Sequence, residues 1–119
     1  NIIDEFIERN NMPNLFYNYN CFLSTTKLDT QGVTMLEAMS SGLLTASINN
    51  SAKEEFISDM KTGILGNNPD ELARKILAVT SDKELFENIT RKGRESMEKI
   101  DIKVTCKREL KILKDIAKK

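Results

Sequence analysis

Histidine and tryptophan are both missing from this 119-residue chain, and cysteine nearly so, with only Cys21 and Cys106. Without histidine there is no imidazole to move protons near neutral pH. Two cysteines far apart in sequence, without metal-type spacing, do not make a zinc site. Both are expected to be small, buried, apolar side chains, and neither a metal nor a cofactor is expected. There is also no excess of charge. The 18 basic and 18 acidic side chains cancel, which leaves no electrostatic footprint for nucleic acid and disfavours it as a partner. No apolar run approaches the roughly 20 residues of a membrane helix, and no signal-peptide pattern opens the chain. The cytoplasm is then the default compartment, and the glycosylation sequons at Asn49 and Asn88 read as accidental.

What is present is the composition of a soluble globular chain, 39% hydrophobic and 30% charged, with length for one domain and one modest core. Short apolar runs alternate with amphipathic stretches, the pattern of an α/β architecture. Ile2 to Ile7 is a candidate first strand, interrupted by Asp4 and Glu5. Asn10 to Asn14, with Pro13, reads as a loop passing into a short helix through Tyr19. Cys21 to Ser24 has the character of a buried parallel strand. A helix follows over Val33 to Ser41, with Val33, Leu36, Ala38 and Met39 inward, and Gly42 suits the left-handed residue after a helix C-terminus. Leu43 to Ile48 is the next strand, Ala52 to Ser58 a short helix with Phe56 and Ile57 inward, and Asp59 to Gly63 a turn before a strand at Ile64 and Leu65.

Beyond Gly66 the pattern is helical only. Asn68-Pro69-Asp70-Glu71 supplies a cap, a proline at the first helical position and an acid at the third, followed by Leu72, Ile76 and Val79 at helical spacing. Ser81-Asp82-Lys83-Glu84 reads as a second capping box ahead of Leu85, Phe86, Ile89 and Met97. A last helix from about Lys103 to Ala117 is expected to turn Cys106, Leu110, Leu113 and Ala117 inward.

The segment Asp29 to Gly42 carries the chemistry. A helix starting near Gly32 directs its first backbone N–H groups outward and adds the positive end of its dipole, which favours an anion. Gly32 lets a phosphate approach the backbone closely. Glu37, just over one turn on, has paired oxygens that suit the cis-diol of a ribose. Asp29, before the turn, would face whatever group hangs from the phosphates. Each residue also has a plain structural reading: Asp29 or Thr30 as an N-cap, Glu37 as a solvated helix residue, Gly32 as a turn residue. On spacing alone the plain reading has the edge, so context has to decide.

The stretch Cys21 to Gly42 resembles the donor-binding motif of the retaining, GT-B-fold glycosyltransferases called glycosyl transferase group 1. In that family a strand ends at Pro-Ser and an acid opens Glu-Gly-Phe-Gly-Leu-x-x-Leu-Glu-Ala-Met-Ala-x-Gly. Thr25-Thr26 stand at the Pro-Ser positions, Asp29 at the first Glu and Gly32 at the second Gly. Glu37, Ala38, Met39 and Gly42 match outright. Asp59 to Leu65 resembles the family's Asp-Gly-x-Thr-Gly-Leu-Leu, and Pro69 to Ala73 the start of its next helix.

The resemblance implies a Rossmann-like three-layer sandwich with a parallel sheet, the C-terminal half of a GT-B fold, followed by C-terminal helices. It implies a nucleotide diphosphate sugar as donor, with Glu37 on the ribose and the backbone at Gln31, Gly32, Val33 and Thr34 on the diphosphate or sugar. Asp29 would hydrogen-bond the transferred sugar. Catalysis would rest on placing and stabilising the departing diphosphate rather than on a nucleophile.

Departures from the pattern bear on that reading. Asp29 is one methylene shorter than the family's Glu. Thr30 and Gln31 replace Gly-Phe, and Ser51 to Glu55 keeps only the last acid of Gly-Gly-x-Pro-Glu. Residues 1–119 are expected to be a partial or truncated donor-binding domain of a hexosyltransferase-type enzyme, inactive alone and partnered by an N-terminal acceptor domain. Two alternatives are a noncatalytic nucleotide-sugar-binding or interaction module of the same fold, and a receiver-like or flavodoxin-like domain, whose acidic cluster is missing. The lysines of the last helix suit a solvated face and, as the alternative, peripheral contact with an anionic membrane in the full-length enzyme.

Overall fold

The computed structural model describes residues 3, 5–26, 32–50 and 52–118. Three strands, β1 (Cys21–Ser24), β2 (Leu44–Ile48) and β3 (Ile64–Gly66), form a parallel sheet in the order β1-β2-β3. Cys21 stands opposite Leu44, and Ala46 opposite Ile64. Among the described residues, five α-helices accompany it: α1 (Met12–Tyr17), α2 (Val33–Ser40), α3 (Pro69–Thr80), α4 (Lys83–Glu98) and α5 (Ile102–Ala117). Short 3-10 turns lie at Arg9–Asn11 and Lys53–Glu55. The expected α/β class with a parallel sheet is the one observed.

Alternation along the strands assigns the two faces of the sheet. Leu44 and Ala46 of β2 and Ile64 of β3 join Leu72, Val79 and Ile89 in one core cluster, beneath α3 and α4. Leu65, pointing the other way, joins Met35, Met39, Ile57 and Met97. Helix α2 covers this second face, and α4 packs against both α2 and α3. A third cluster of Phe16, Ala38 and Leu43 fastens α1 to the end of α2.

Helix ends are set by local chemistry. The Asn68 side chain accepts a hydrogen bond from Glu71 N at 2.8 Å, and Pro69 opens α3, as the sequence indicates. Helix α2 ends in a Schellman motif. Gly42, at φ 84°, donates its N–H to the Met39 carbonyl, and Leu43 donates to Ala38. Leu43 and Ala38 share a cluster, which is the hydrophobic contact this motif favours.

Several expectations need correction. The described residues between Ile3 and Ile7 form no strand, and Phe6 is 93% exposed, so the apolar run has no surface to pair or pack against. The Ala52 to Ser58 helix is only the 3-10 turn at Lys53–Glu55, with Ile57 buried. In α2, Val33 is exposed and Met35 is buried in its place. The cap of α4 is Asp82, accepting from Leu85 N at 3.1 Å, whereas Ser81 closes α3. Aspartate there offers a charged acceptor at the positive helix end. Cys21 is half-buried, and burial pushes its thiol pKa up, but Cys106 is exposed. Helix α5 buries none of its residues: Leu110 and Leu113, expected inward, are exposed.

A polar clasp joins the turn before β3 to α3. Lys75 Nζ donates to Asp59 Oδ2 at 2.6 Å and to the Leu65 carbonyl at 2.7 Å, and lies 2.9 Å from Glu71 Oε1. Asp59 Oδ1 in turn accepts from Leu65 N at 2.9 Å. Hydrogen bonds to Asp59, then Glu71, raise the Lys75 pKa, and the bond from Lys75 foremost lowers that of Glu71.

Two outcomes follow from this packing. A Cβ added at Gly93, inside α4, would stand 2.5 Å from the Thr62 carbonyl oxygen. Gly93→Ala should therefore destabilise by about 1–3 kcal/mol in chemical denaturation, although in an open helix the same change gains up to ~1 kcal/mol. A gain in stability would contradict the close approach. For the clasp, ionised Glu71 contributes stability that is lost as pH falls through its lowered pKa, and charged Lys75 contributes stability lost as pH rises through its raised one. Lys75→Met should lower the melting temperature and flatten both limbs of its pH profile; an unchanged profile would show that the clasp adds nothing.

Candidate functional site

In parallel sheets, ligands gather outside the carboxyl ends of the strands. Here those ends are Ser24, Ile48 and Gly66, and the chain leaving Ser24 returns as α2. Gly32 is the N-cap of α2, in the left-handed conformation at φ 59° and ψ 49°. A residue with a Cβ adopts that conformation at a cost, which explains glycine at this point. The cap position thus belongs to Gly32 rather than to Asp29 or Thr30. The amides of Val33 and Thr34 open the helix and have no intrahelical acceptor.

A cavity of ≈ 440 Å³ lies at this helix start. Ser24, Thr25 and Thr26 from the end of β1 form one wall, and Gly32, Val33, Thr34 and Met35 the other. The lining mixes hydroxyls and backbone groups with the apolar side chains of Phe22, Leu23, Val33 and Met35, and the Ser24 and Thr26 hydroxyls are hydrogen-bonded to each other at 3.0 Å. Asp29 and Gln31 lie outside the described residues.

Glu37 lies on the same helix face as Val33, four residues on. Its side chain is 33% exposed and 4.0 Å from Arg9 Nε, whose own side chain is exposed. Both line a second cleft, of ≈ 670 Å³, between α1, α2 and the junction of α4 with α5. Met12, Phe16, Leu36 and Met97 give that cleft apolar surface. Val33 lines both cavities, so the helix start and the Glu37 cleft adjoin. A carboxylate beside apolar surface, next to a concave helix N-terminus, is an arrangement that can hold a polar ligand with an anionic end.

Sequence reasoning missed Lys53. The residue is 2% exposed, and Nζ donates to Ser24 Oγ at 3.2 Å, to the Thr26 carbonyl at 3.0 Å and to Thr26 Oγ1 at 3.4 Å. The 3-10 turn beginning at Lys53 aims it back under the end of β1. A lysine in a polar stretch, Ser51 to Glu55, reads as surface, and only the departure from the Gly-Gly-x-Pro-Glu pattern marked the place. Arg9 was missed as well, since a short 3-10 turn rather than a periodic helix brings it to Glu37.

The family model described as glycosyl transferases group 1 matches residues 3–96. The chain belongs to that family. Among solved structures it is similar to the C-terminal domain of a glycosyl transferase group 1 family protein from Francisella tularensis, with 22% identity and a TM-score of 0.71. That match covers 81% of this chain and 50% of the other, so the chain spans about half the length of its structural relative. No curated protein matches the chain. The fold expected from the resemblance, a Rossmann-like domain of the kind that forms the C-terminal half of a GT-B glycosyltransferase, is the one found. No helix among the described residues is long and apolar enough to cross a membrane.

Proposed function

We propose that this chain is the donor-binding part of a glycosyltransferase that moves a sugar, of hexosyl type, from a nucleotide diphosphate sugar to a glycan, lipid or other acceptor. The observation that carries the reading is the adjoining of two surfaces at Val33: the concave start of α2 and the cleft holding Glu37. One suits a diphosphate, and the other a nucleoside whose ribose meets a carboxylate. In this reading the amides near Gly32, Val33 and Thr34, with Gln31 before them, hold the diphosphate, and Glu37 accepts from the ribose hydroxyls. Asp29 contacts the transferred sugar.

The bond broken joins the anomeric carbon to the donor diphosphate, and the bond formed joins that carbon to an acceptor oxygen. The acceptor proton passes to the departing phosphate. The protein's part is to align the reactants and to stabilise negative charge growing on the diphosphate, which dipoles at a helix N-terminus do without rearranging. An N-terminal domain of the whole protein would bring the acceptor. The sequence at Ser51 to Glu55, which departs from the family's glycine pair, favours a second reading, a noncatalytic nucleotide-sugar-binding module of the same fold.

Titration of the whole protein with uridine and guanosine diphosphate sugars, alongside turnover assays, tests these readings. Glu37→Ala should weaken donor binding by about 10- to 100-fold, the worth of hydrogen bonds to a charged group. Unchanged affinity would remove Glu37 from the ribose role. Binding without turnover of any sugar would select the noncatalytic module.

A further inference from the structure

The zero net charge of the chain hides a division. Residues 102–119 hold seven basic and two acidic side chains, whereas residues 1–101 hold eleven basic and sixteen acidic. The basic end is α5, which buries none of its residues. Ile102, Leu110, Ile112, Leu113 and Ile116 are 52–74% exposed, and Cys106 is exposed with them. Val104 and Thr105 are half-buried, so they turn one side of the helix start toward the rest of the molecule and leave the opposite side facing out.

At about 100° per residue, that outward half of α5 divides into two bands. Ile102, Leu113, Cys106, Ala117 and Leu110 fill the first band, and Lys103, Lys114, Lys107, Lys118 and Lys111 fill the second. Neither acid of the helix, Glu109 or Asp115, falls in this half. Among the described residues, none of the five lysines makes an ion pair. Helices α3 and α4 do the opposite: Lys75 pairs with Glu71, Lys83 with Glu87 and Arg91 with Glu95, each one turn away. A helix whose polar face meets only water mixes its signs in that way, but α5 sorts them. Burial of the apolar band against protein would leave the lysines in water and give the sorting no role. A surface that is apolar within and anionic at its boundary uses both bands, and a bilayer containing anionic lipid is such a surface.

We infer that α5 is a membrane-docking helix that lies along the face of an anionic lipid bilayer, with the band of Ile102, Leu110 and Leu113 among the acyl chains and the lysines at the phosphates. It lies on the bilayer rather than crossing it, since no helix of the described residues is long and apolar enough to cross. Lysine stems let the ammonium groups stay at the level of the headgroups while their apolar neighbours enter. The acidic excess of residues 1–101 is repelled by the same surface, which turns the body of the domain toward water. The attraction is local to α5, so it does not require the whole chain to be basic. It also stands apart from the donor-binding reading, because none of its five lysines lines the cavity at the start of α2 or the Glu37 cleft.

Cosedimentation of the whole protein with phosphatidylcholine vesicles, with and without phosphatidylglycerol, tests the inference alongside thermal melts. Wild type should bind only the anionic vesicles, and less as salt rises. Lys107→Gln combined with Lys111→Gln should weaken that binding by about tenfold or more, at roughly fivefold for each lysine near an anionic surface. Leu110→Gln combined with Leu113→Gln should weaken it comparably. Both pairs change exposed side chains, and glutamine keeps the helix propensity, so melting temperatures should hold. No binding to anionic vesicles, equal binding to both kinds, or full binding by either double variant would overturn the inference. So would a marked fall in melting temperature or a failure to fold in the Leu110, Leu113 variant, which would show that protein covers the apolar band in the whole molecule.

Discussion

Both faces of β2 are shut off from water, and the rest of the structure depends on that constraint. Leu44, Thr45, Ala46 and Ser47 are buried in succession, two toward α3 and α4 and two toward α2. A parallel strand with neighbours on both sides has its backbone satisfied within the sheet, but each face has to be covered by a helix. The chain therefore crosses one face between β1 and β2 as α2. Parallel pairing obliges α2 to begin near the carboxyl end of β1, since it has to return the chain to the amino end of β2. The position of Gly32 beside Ser24 and Thr26 is thus a consequence of sheet topology before it is a feature of any site.

The two faces differ in chemistry. Toward α3 and α4 the fully buried layer is aliphatic, with Leu44, Ala46, Ile64, Leu72, Val79 and Ile89, and Cys21, Met60 and Phe86 pack against it. Toward α2 the sheet offers Ser24, Thr45 and Ser47, and the Lys53 side chain lies against the first of these. Polar groups inside a small core weaken it unless they are bonded. Ser24 and Ser47 are bonded, whereas Thr45 Oγ1 is buried without a hydrogen-bond partner among the described residues. Polarity is thus admitted only on the α2 face, beside the apolar cluster of Met35, Met39, Ile57, Leu65 and Met97.

Local signals were legible in the sequence where they act over a few residues. The Asn68-Pro69 start, the glycine ending α2 and the strands at Cys21, Leu44 and Ile64 all follow from turn chemistry and short apolar runs. What failed depends on what lies opposite. The periodicity of α5 resembles that of a core helix, yet amphipathicity states only that a face is apolar, and here nothing among the described residues buries it. Ile3 and Phe6 fail as a strand for the same reason. Lys53 was illegible because burial of a lysine is decided by acceptors 27 and 29 residues away in sequence, Thr26 and Ser24. Of the site, Gly32 and Glu37 were legible through the motif, but Arg9 and Lys53 come from turns with no periodic signature.

In the proposed donor-binding reading, the spacing within α2 would let a single short helix serve two parts of one ligand. Residues four apart lie one above the other on a helix, separated by about 5–6 Å. Val33 at the first turn and Glu37 at the second therefore share a face, with one cavity at the helix start and the other alongside it. A nucleoside diphosphate has a matching order of parts, a diol on the ribose and then a phosphate a few bonds away. In the proposed donor-binding reading, amides at the end of this helix would take the anion and the carboxylate one turn in would take the diol. Glutamate one position earlier or later would be turned about 100° around the helix, away from the Val33 face. The side chain is thus specified by the helical repeat as much as by its charge.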